Sequence, residues 1–111
     1  MLQIAFHPNY VYHVPEGHRF PMLKYQRLPE ILLQKGIVQK EHFFQPTLLE
    51  DGTYAEAHTI DYIEKLRKGR FSDKEMRLIG FHYSPELIER EMTIASGTIV
   101  GAIHALENGV A

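Results

Sequence analysis

Seven histidines in a chain of 111 residues without cysteine are the feature that most suggests chemistry. Three of them, His7, His13 and His18, share one segment, and neutral imidazole is a common metal ligand. Their spacing matches no standard ligand pattern, and the chain contains no HExxH pair. Hydrogen bonds that fix this segment, or exposure to solvent, are therefore the favoured interpretation of the three side chains.

The other candidate residues point to structure rather than catalysis. His58 precedes Thr59, a plausible helix N-cap, which favours a role in tying two helices together. His104 is expected on the flank of a long helix. No serine lies in a GxSxG sequence and no glycine-rich phosphate loop is present. We therefore expect neither a catalytic residue nor a set of metal ligands among these 111 residues.

Composition restricts the class of protein further. A formal net charge of −2 and a pI near 6.4 give no footprint for nucleic acid or acidic membrane. The absence of cysteine excludes disulfides, cysteine-ligated zinc and thiol catalysis, and it suits a cytoplasmic protein. No apolar run is long enough to span a membrane, and the run Met1–Phe6 is too short for a signal peptide.

The first half of the chain predicts two strands around a helix. Leu2–Phe6 and His42–Leu49 have the apolar character of strands, and a loop rich in His, Pro and Gly follows the first. The helix between them should end at Gly36, while Pro29 marks its first turn or kinks a longer helix that begins near Met22. Asp51-Gly52 is then a turn signal.

The second half predicts helices with clear ends. Capping boxes are expected at Thr53–Glu56 and Ser72–Glu75, and one apolar stripe should stop before Gly69. Ser84-Pro85 should start the longest helix, which Asn108-Gly109 closes. Its inner face is apolar and carries small residues, including a Gly97–Gly101 pair that indicates close backbone approach.

This order of elements is an unfinished α/β pattern. Two strands cannot cover the apolar face of so long a helix, so we expect residues 1–111 to be the front of a larger α/β domain. A complete small α+β domain is the alternative. In the first case the chain should self-associate, or occur only alongside the remainder of its own protein.

Four blocks of sequence carry a resemblance to a known family. They are Gly17–Tyr25 (GHRFPMLKY), Ala57–Ile63 (AHTIDYI), Ile79–Leu87 (IGFHYSPEL) and Ser96–Thr98 at the small-residue face of the long helix. In this order and spacing they resemble the N-terminal portion of the histone deacetylase superfamily, closest to its class IV and bacterial deacetylase-like branch.

The resemblance implies an arginase–deacetylase type fold, a parallel sheet flanked by helices, and hydrolysis of acetyl-lysine or another acylated amine with one zinc ion. The zinc ligands and the catalytic histidines of the family would lie beyond these residues. What carries over is a substrate rim formed by two loops: Val14–Met22 resembles the first loop and Phe81–Tyr83 the second. Its candidate residues are His18, Phe20, Pro21, Phe81, His82 and Tyr83. The alternative is a non-enzymatic interaction module that keeps the front of the fold without a metal centre.

Overall fold

A computed structural model describes all residues from 1 to 111. The fold is mixed α/β and mostly helical, with a small parallel sheet of two strands, β1 (Ile4–Ala5) and β2 (Phe43–Phe44). Ile4 is paired with Phe43 and Ala5 with Phe44. One α-helix, α1 (Lys24–Gln34), lies between the two strands in the chain. Four more follow β2: α2 (Asp51–Tyr54), α3 (Ile60–Lys68), α4 (Asp73–Ile79) and α5 (Pro85–Asn108).

Both predicted strands exist, but both are shorter than the apolar runs suggested. The second is cut on one side by a 3-10 turn at Lys40–His42. On the other side the chain continues without strand structure through Pro46, which is buried and has no N–H to donate to a neighbouring strand. The sheet is therefore too small to cover the apolar face of a long helix.

Helix α1 resolves the alternative for Pro29. The proline is the sixth residue of α1 and lies inside the helix, so the helix begins earlier, at Lys24. Gly36 follows the helix with a φ of +65°, the left-handed conformation predicted for it.

The cap predictions for the middle helices have a mixed outcome. The capping box of Ser72 and Glu75 at α4 is confirmed, and Thr59 caps α3 by accepting a hydrogen bond from the Tyr62 N–H. The turn at Asp51-Gly52 and the capping box at Thr53 are wrong, because those residues form α2 itself. Gly52 does not have the positive φ that a turn interpretation of this dipeptide assumes.

Helix α5 has the predicted bounds and divides into two halves. Ser84 caps it by accepting from the Leu87 N–H, and its first half buries Leu87, Ile88 and Met92. The second half leaves its apolar side chains largely exposed: Leu106, for example, is 89% exposed. The sequence pattern predicts one continuous apolar face, and the structure covers only the first part of it.

Close backbone approach on α5 is confirmed at one glycine of the predicted pair. A Cβ on Gly97 would lie 2.5 Å from the Tyr10 hydroxyl oxygen and 3.2 Å from the Ala5 Cβ. A Cβ on Gly101 would have no neighbour within 4 Å. The helix therefore touches β1 and the 3-10 turn at Pro8–Tyr10 through Gly97, and it stands clear of them one turn later.

The core lies between α2, α3 and the first half of α5. It consists of Tyr54, Ile63, Ile88 and Met92. The Tyr54 hydroxyl donates to the Met92 carbonyl oxygen at 3.1 Å and accepts from the Leu49 N–H at 3.1 Å, so this buried phenol is satisfied. None of the helices is both apolar enough and long enough to traverse a lipid bilayer.

Candidate functional site

The imidazole of His18 holds the first predicted rim loop to the second. Its Nδ1 accepts a hydrogen bond from the Phe20 N–H at 3.1 Å, and its Nε2 lies 3.0 Å from the Gly80 carbonyl oxygen. Because Nδ1 accepts, Nε2 carries the proton and donates to that carbonyl. The ring also stacks on Phe81, with 5.3 Å between centroids. The two loops of the predicted rim therefore meet at this histidine.

Aromatic side chains extend the contact on both loops. Phe20 meets the edge of Phe81 at 5.5 Å between centroids and stacks on Tyr25 at 6.3 Å. The ammonium group of Lys24 lies 4.9 Å from the centroid of the Phe20 ring. A depression of about 380 Å³ opens at this junction, with His18, Phe20, Pro21 and Phe81 among its lining residues.

A second tie between the loops runs through Tyr12. Its hydroxyl donates to the His82 carbonyl oxygen at 3.2 Å and lies 2.8 Å from the Ser84 hydroxyl, which also caps α5. His82 is thus held by its backbone, while the residue itself is exposed. The sequence pattern did not point to Tyr12, although a tyrosine beside a rim loop is a residue type that supplies both a ring and a hydroxyl.

Tyr83 is the predicted rim residue that the structure places elsewhere. Its hydroxyl donates to the carbonyl oxygens of Leu66 and Arg67 at the end of α3, at 2.9 and 3.1 Å. Its ring lies against Gly69, where a Cβ would come within 2.5 Å of it, and packs on the core. The side chain closes the end of α3 instead of joining His18, Phe20 and Phe81.

A buried arginine, which the sequence pattern did not indicate, contacts the first loop and the segments on either side of it. Arg90 of α5 is 3% exposed, and its Nε donates to the Tyr10 carbonyl oxygen at 2.8 Å. Its guanidinium lies 5.1 Å from the centroid of the Tyr25 ring, contacts the Met22 sulfur at 3.5 Å and pairs with Glu91. The one feature of the sequence that could have indicated this role is a charged residue on the apolar face of α5.

Charge and burial have opposite effects on the pKa of Tyr10. Burial raises the pKa of the Tyr10 phenol above its ordinary value, and the positive charge of Arg90 opposes part of that rise. The phenol is therefore neutral at physiological pH, and it fits the space that Gly97 leaves on α5.

Four further histidines lie apart from the contact made by His18, and their surroundings differ. His7 caps the 3-10 turn by accepting from the Asn9 N–H at 3.1 Å, and His13 is exposed. His58 lies against the Tyr62 ring at 5.2 Å, and His104 contacts the Phe44 ring edge at 5.0 Å. His7 and His18 thus confirm that hydrogen bonds fix the loop. No three His, Asp or Glu side chains are grouped closely enough to hold a metal ion.

Comparison with known proteins adds one relative. No protein-family model matches the chain. The chain is 38% identical over 108 residues to an uncharacterized protein of Picosynechococcus sp. (strain ATCC 27264 / PCC 7002 / PR-6). The match covers 97% of this chain but 36% of that relative, so the chain spans about a third of the length of the protein it matches.

Proposed function

We propose that this chain forms the N-terminal part of a zinc-dependent, deacetylase-like amide hydrolase with an arginase–deacetylase type fold. The observation that carries the proposal is the junction of His18 with Gly80 and Phe81. Residues 62 positions apart in the chain meet there, and both belong to sequence blocks that resemble the deacetylase family. A relative about three times as long gives room for the rest of such a domain.

The chemistry of the junction fits an acylated amine as substrate. Phe20 and Phe81 present aromatic surface. When an alkyl chain such as that of acyl-lysine lies against these rings, its apolar area is removed from contact with water, which favours binding. His18 fixes the two rings relative to each other, because it is hydrogen-bonded to the Phe20 N–H and the Gly80 carbonyl oxygen and its ring stacks on Phe81. In this proposal the rim binds and orients the substrate and takes no proton from it.

The residues of this chain do not fit a zinc site of their own. A catalytic zinc ion takes three protein ligands, and no group of three suitable side chains is formed here. We therefore assign no catalytic step to residues 1–111, and the proposal leaves the metal and the attack on the amide to the rest of the longer protein. The substrate classes proposed are acyl-lysine in proteins and acylated small amines.

A chimera tests the proposal on this chain's own residues. Residues 1–111 replace the 108 matched residues of the Picosynechococcus relative, and the purified chimera is assayed on an acetyl-lysine peptide and on acetylated small amines. We expect turnover that is lost on chelation and restored by zinc. An inactive chimera beside an active parent relative would show that this chain cannot supply the rim, and inactivity of both would remove the hydrolase proposal.

A second candidate is a non-enzymatic interaction module, which the exposed apolar side chains of α5 favour. Ile99, Ile103 and Leu106 are 38%, 50% and 89% exposed on the second half of that helix. Exposed apolar residues on one face commonly mark a surface that another polypeptide covers. An inactive but folded chimera that still binds a partner through α5 would favour this candidate.

A further inference from the structure

The neutral ring of His18 uses both of its nitrogen atoms. Nδ1 accepts from the Phe20 N–H at 3.1 Å, and Nε2 donates to the Gly80 carbonyl oxygen at 3.0 Å. A neutral imidazole has one donor and one acceptor, so each nitrogen atom has the one role that this tautomer allows. The bond to Gly80 requires a proton on Nε2, and the bond to Phe20 requires that Nδ1 has none.

Protonation of His18 breaks only one of these two bonds. A second proton makes Nδ1 a donor, so Nδ1 and the Phe20 nitrogen become two donors that face each other 3.1 Å apart. The bond from Nε2 to the Gly80 carbonyl oxygen becomes charge-assisted, and such bonds are stronger than neutral ones. The ring therefore stays at Gly80, while the Phe20 N–H moves away from Nδ1.

The surroundings of the ring provide no close counter-ion for the added charge. The segment Ile79–Phe81, on the far side of the ring, has no charged or titratable side chain. On the near side Arg19 lines the depression at the ring, and the cavity inside the first loop adds Tyr12, His13, Glu16 and Lys24. Glu16 is exposed and makes no ion pair with His18. A proton on His18 therefore adds to a local excess of positive charge and is not stabilised by a paired carboxylate.

His42 shows why the geometry at His18 is the sensitive one. The Nδ1 atom of His42 also accepts from a backbone N–H, that of Gln39 at 2.9 Å, but the Gln39 carbonyl oxygen lies 3.2 Å from the same atom. A protonated Nδ1 can donate to that oxygen without leaving its place. The Nδ1 atom of His18 has the Phe20 N–H as its one hydrogen-bond partner, so it has no acceptor to turn to.

We infer that His18 is a pH-sensitive switch in the first loop: on taking up a proton it keeps its bond to Gly80, and the backbone at Phe20 turns away and separates the Phe20 ring from Phe81. The two rings are 5.5 Å apart between centroids while His18 is neutral. Imidazole takes up a proton near pH 6.5 in water. Because the folded loop requires the neutral ring, the contact between Phe20 and Phe81 is complete above about pH 6.5 and is lost as the pH falls below it.

This inference rests on the hydrogen bonds of His18 and does not depend on the hydrolase proposed above. The test follows the 111-residue chain by NMR between about pH 8 and about pH 5. Exchange of the Phe20 amide is expressed relative to an unstructured peptide at the same pH, which removes the intrinsic effect of pH on exchange. Nuclear Overhauser effects report the ring contacts of Phe81 with Phe20 and with His18. The amide of Ile63, in the core, reports whether the whole chain stays folded.

We expect protection of the Phe20 amide to fall by about tenfold or more over this range, as for the loss of one hydrogen bond. The contact of Phe20 with Phe81 should disappear, while the contact of His18 with Phe81 and the protection of Ile63 persist. His18→Asn should make protection of the Phe20 amide independent of pH, because an asparagine side chain accepts from the N–H two residues on and does not titrate. His13→Asn, which removes an exposed imidazole from the same loop, should keep the pH dependence of the wild type.

Four results would overturn the inference. The first is equal protection of the Phe20 amide at both ends of the pH range. The second is an equal loss of protection at Ile63, because acid would then unfold the whole chain. The third is loss of the contact between His18 and Phe81, because the entire loop would then be released. The fourth is an unchanged pH dependence in His18→Asn. If that variant does not fold, the ring carbon shifts of His18 in the wild type replace it, and a change at Phe20 that does not follow them has the same meaning.

Discussion

The Nε2 atom of His18 lies 3.0 Å from the carbonyl oxygen of Gly80, and this contact joins two loops that are far apart in the chain. Gly80 is also the left-handed residue that ends α4, with a φ of +79°. The hydrogen bond therefore ties the first loop to the residue at which α4 ends.

His18→Ala should loosen the first loop. The change removes the hydrogen bonds to the Phe20 N–H and the Gly80 carbonyl, and we expect a loss of about 1 to 2 kcal/mol in the free energy of unfolding. Amides of residues 13–22 should also exchange faster. His13→Ala is the matched control, because His13 is exposed in the same loop. Equal effects of the two substitutions would contradict the role given to His18.

Gly69→Ala should destabilise the fold more than Gly36→Ala does. Both glycines have a φ of +65°, so each substitution carries the backbone cost of about 1 to 2 kcal/mol for a left-handed alanine. Only at Gly69 does the new Cβ meet the Tyr83 ring, at 2.5 Å, which adds an overpacking cost of about 1 to 3 kcal/mol. Urea unfolding of the two variants gives the difference, and a difference near zero would mean that the ring moves freely aside.

Arg90→Lys should behave as a large change despite the retained charge. A lysine cannot reproduce the planar guanidinium that reaches Tyr10 and stacks on Tyr25, and its ammonium group would be buried with fewer partners. We expect a loss of about 3 kcal/mol in unfolding free energy, the size seen when a buried ion network is broken. Glu91→Gln should cost less than about 1 kcal/mol, because that carboxylate is half exposed. Similar losses for both variants would argue against a buried anchor.

Glu75 should make the stability of the chain fall in acid. Hydrogen bonds from Lys65 and from Ser72 lower the pKa of this carboxyl from 4.5 to about 2 in the folded state. Since the folded pKa is below the unfolded one, its contribution is complete above about pH 5 and is lost as the pH falls through 4.5 toward 2. Denaturant midpoints of the wild type and Glu75→Gln should differ above pH 5 and converge near pH 2. Glu56→Gln, at an exposed site, is the matched control, and its midpoint should stay close to that of the wild type at every pH.

Phe81→Ala in the chimera should raise KM more than it lowers kcat. A residue at the rim contributes binding that is similar in the ground state and the transition state, so its loss weakens binding rather than chemistry. Tyr83→Phe should leave KM unchanged and lower stability by about 1 kcal/mol instead, since it removes the bonds to Leu66 and Arg67. A fall in kcat alone for Phe81→Ala would mean that the ring contacts the reacting atoms.

Local signals in the sequence predicted the helix ends well. Ser72, Ser84 and Thr59 each cap the helix expected of them, because a cap depends on the backbone within a few residues of the side chain. The prediction of a turn at Asp51-Gly52 was wrong because it rested on two residues alone. The dipeptide is compatible with a turn or a helix, and its own residues do not decide which.

The candidate site was only partly visible in the sequence. His18, Phe20 and Phe81 were predicted and do meet, but Tyr83 was assigned to the same rim because the segment Phe81–Tyr83 resembles one loop of the deacetylase family. Its position is decided by the absence of a side chain at Gly69, on another element. Arg90 was missed because a charged residue on a helix is ordinarily solvated, and only the loop folded over it makes it buried.

The bond between Arg90 and Tyr10 also sets an order of events during synthesis. The two residues are 80 positions apart, and a ribosome adds roughly 5 to 20 residues per second. Tyr10 therefore waits about 4 to 16 seconds for its partner after it is translated. During that interval its ring lacks the space beside Gly97 of α5 that it occupies in the folded chain.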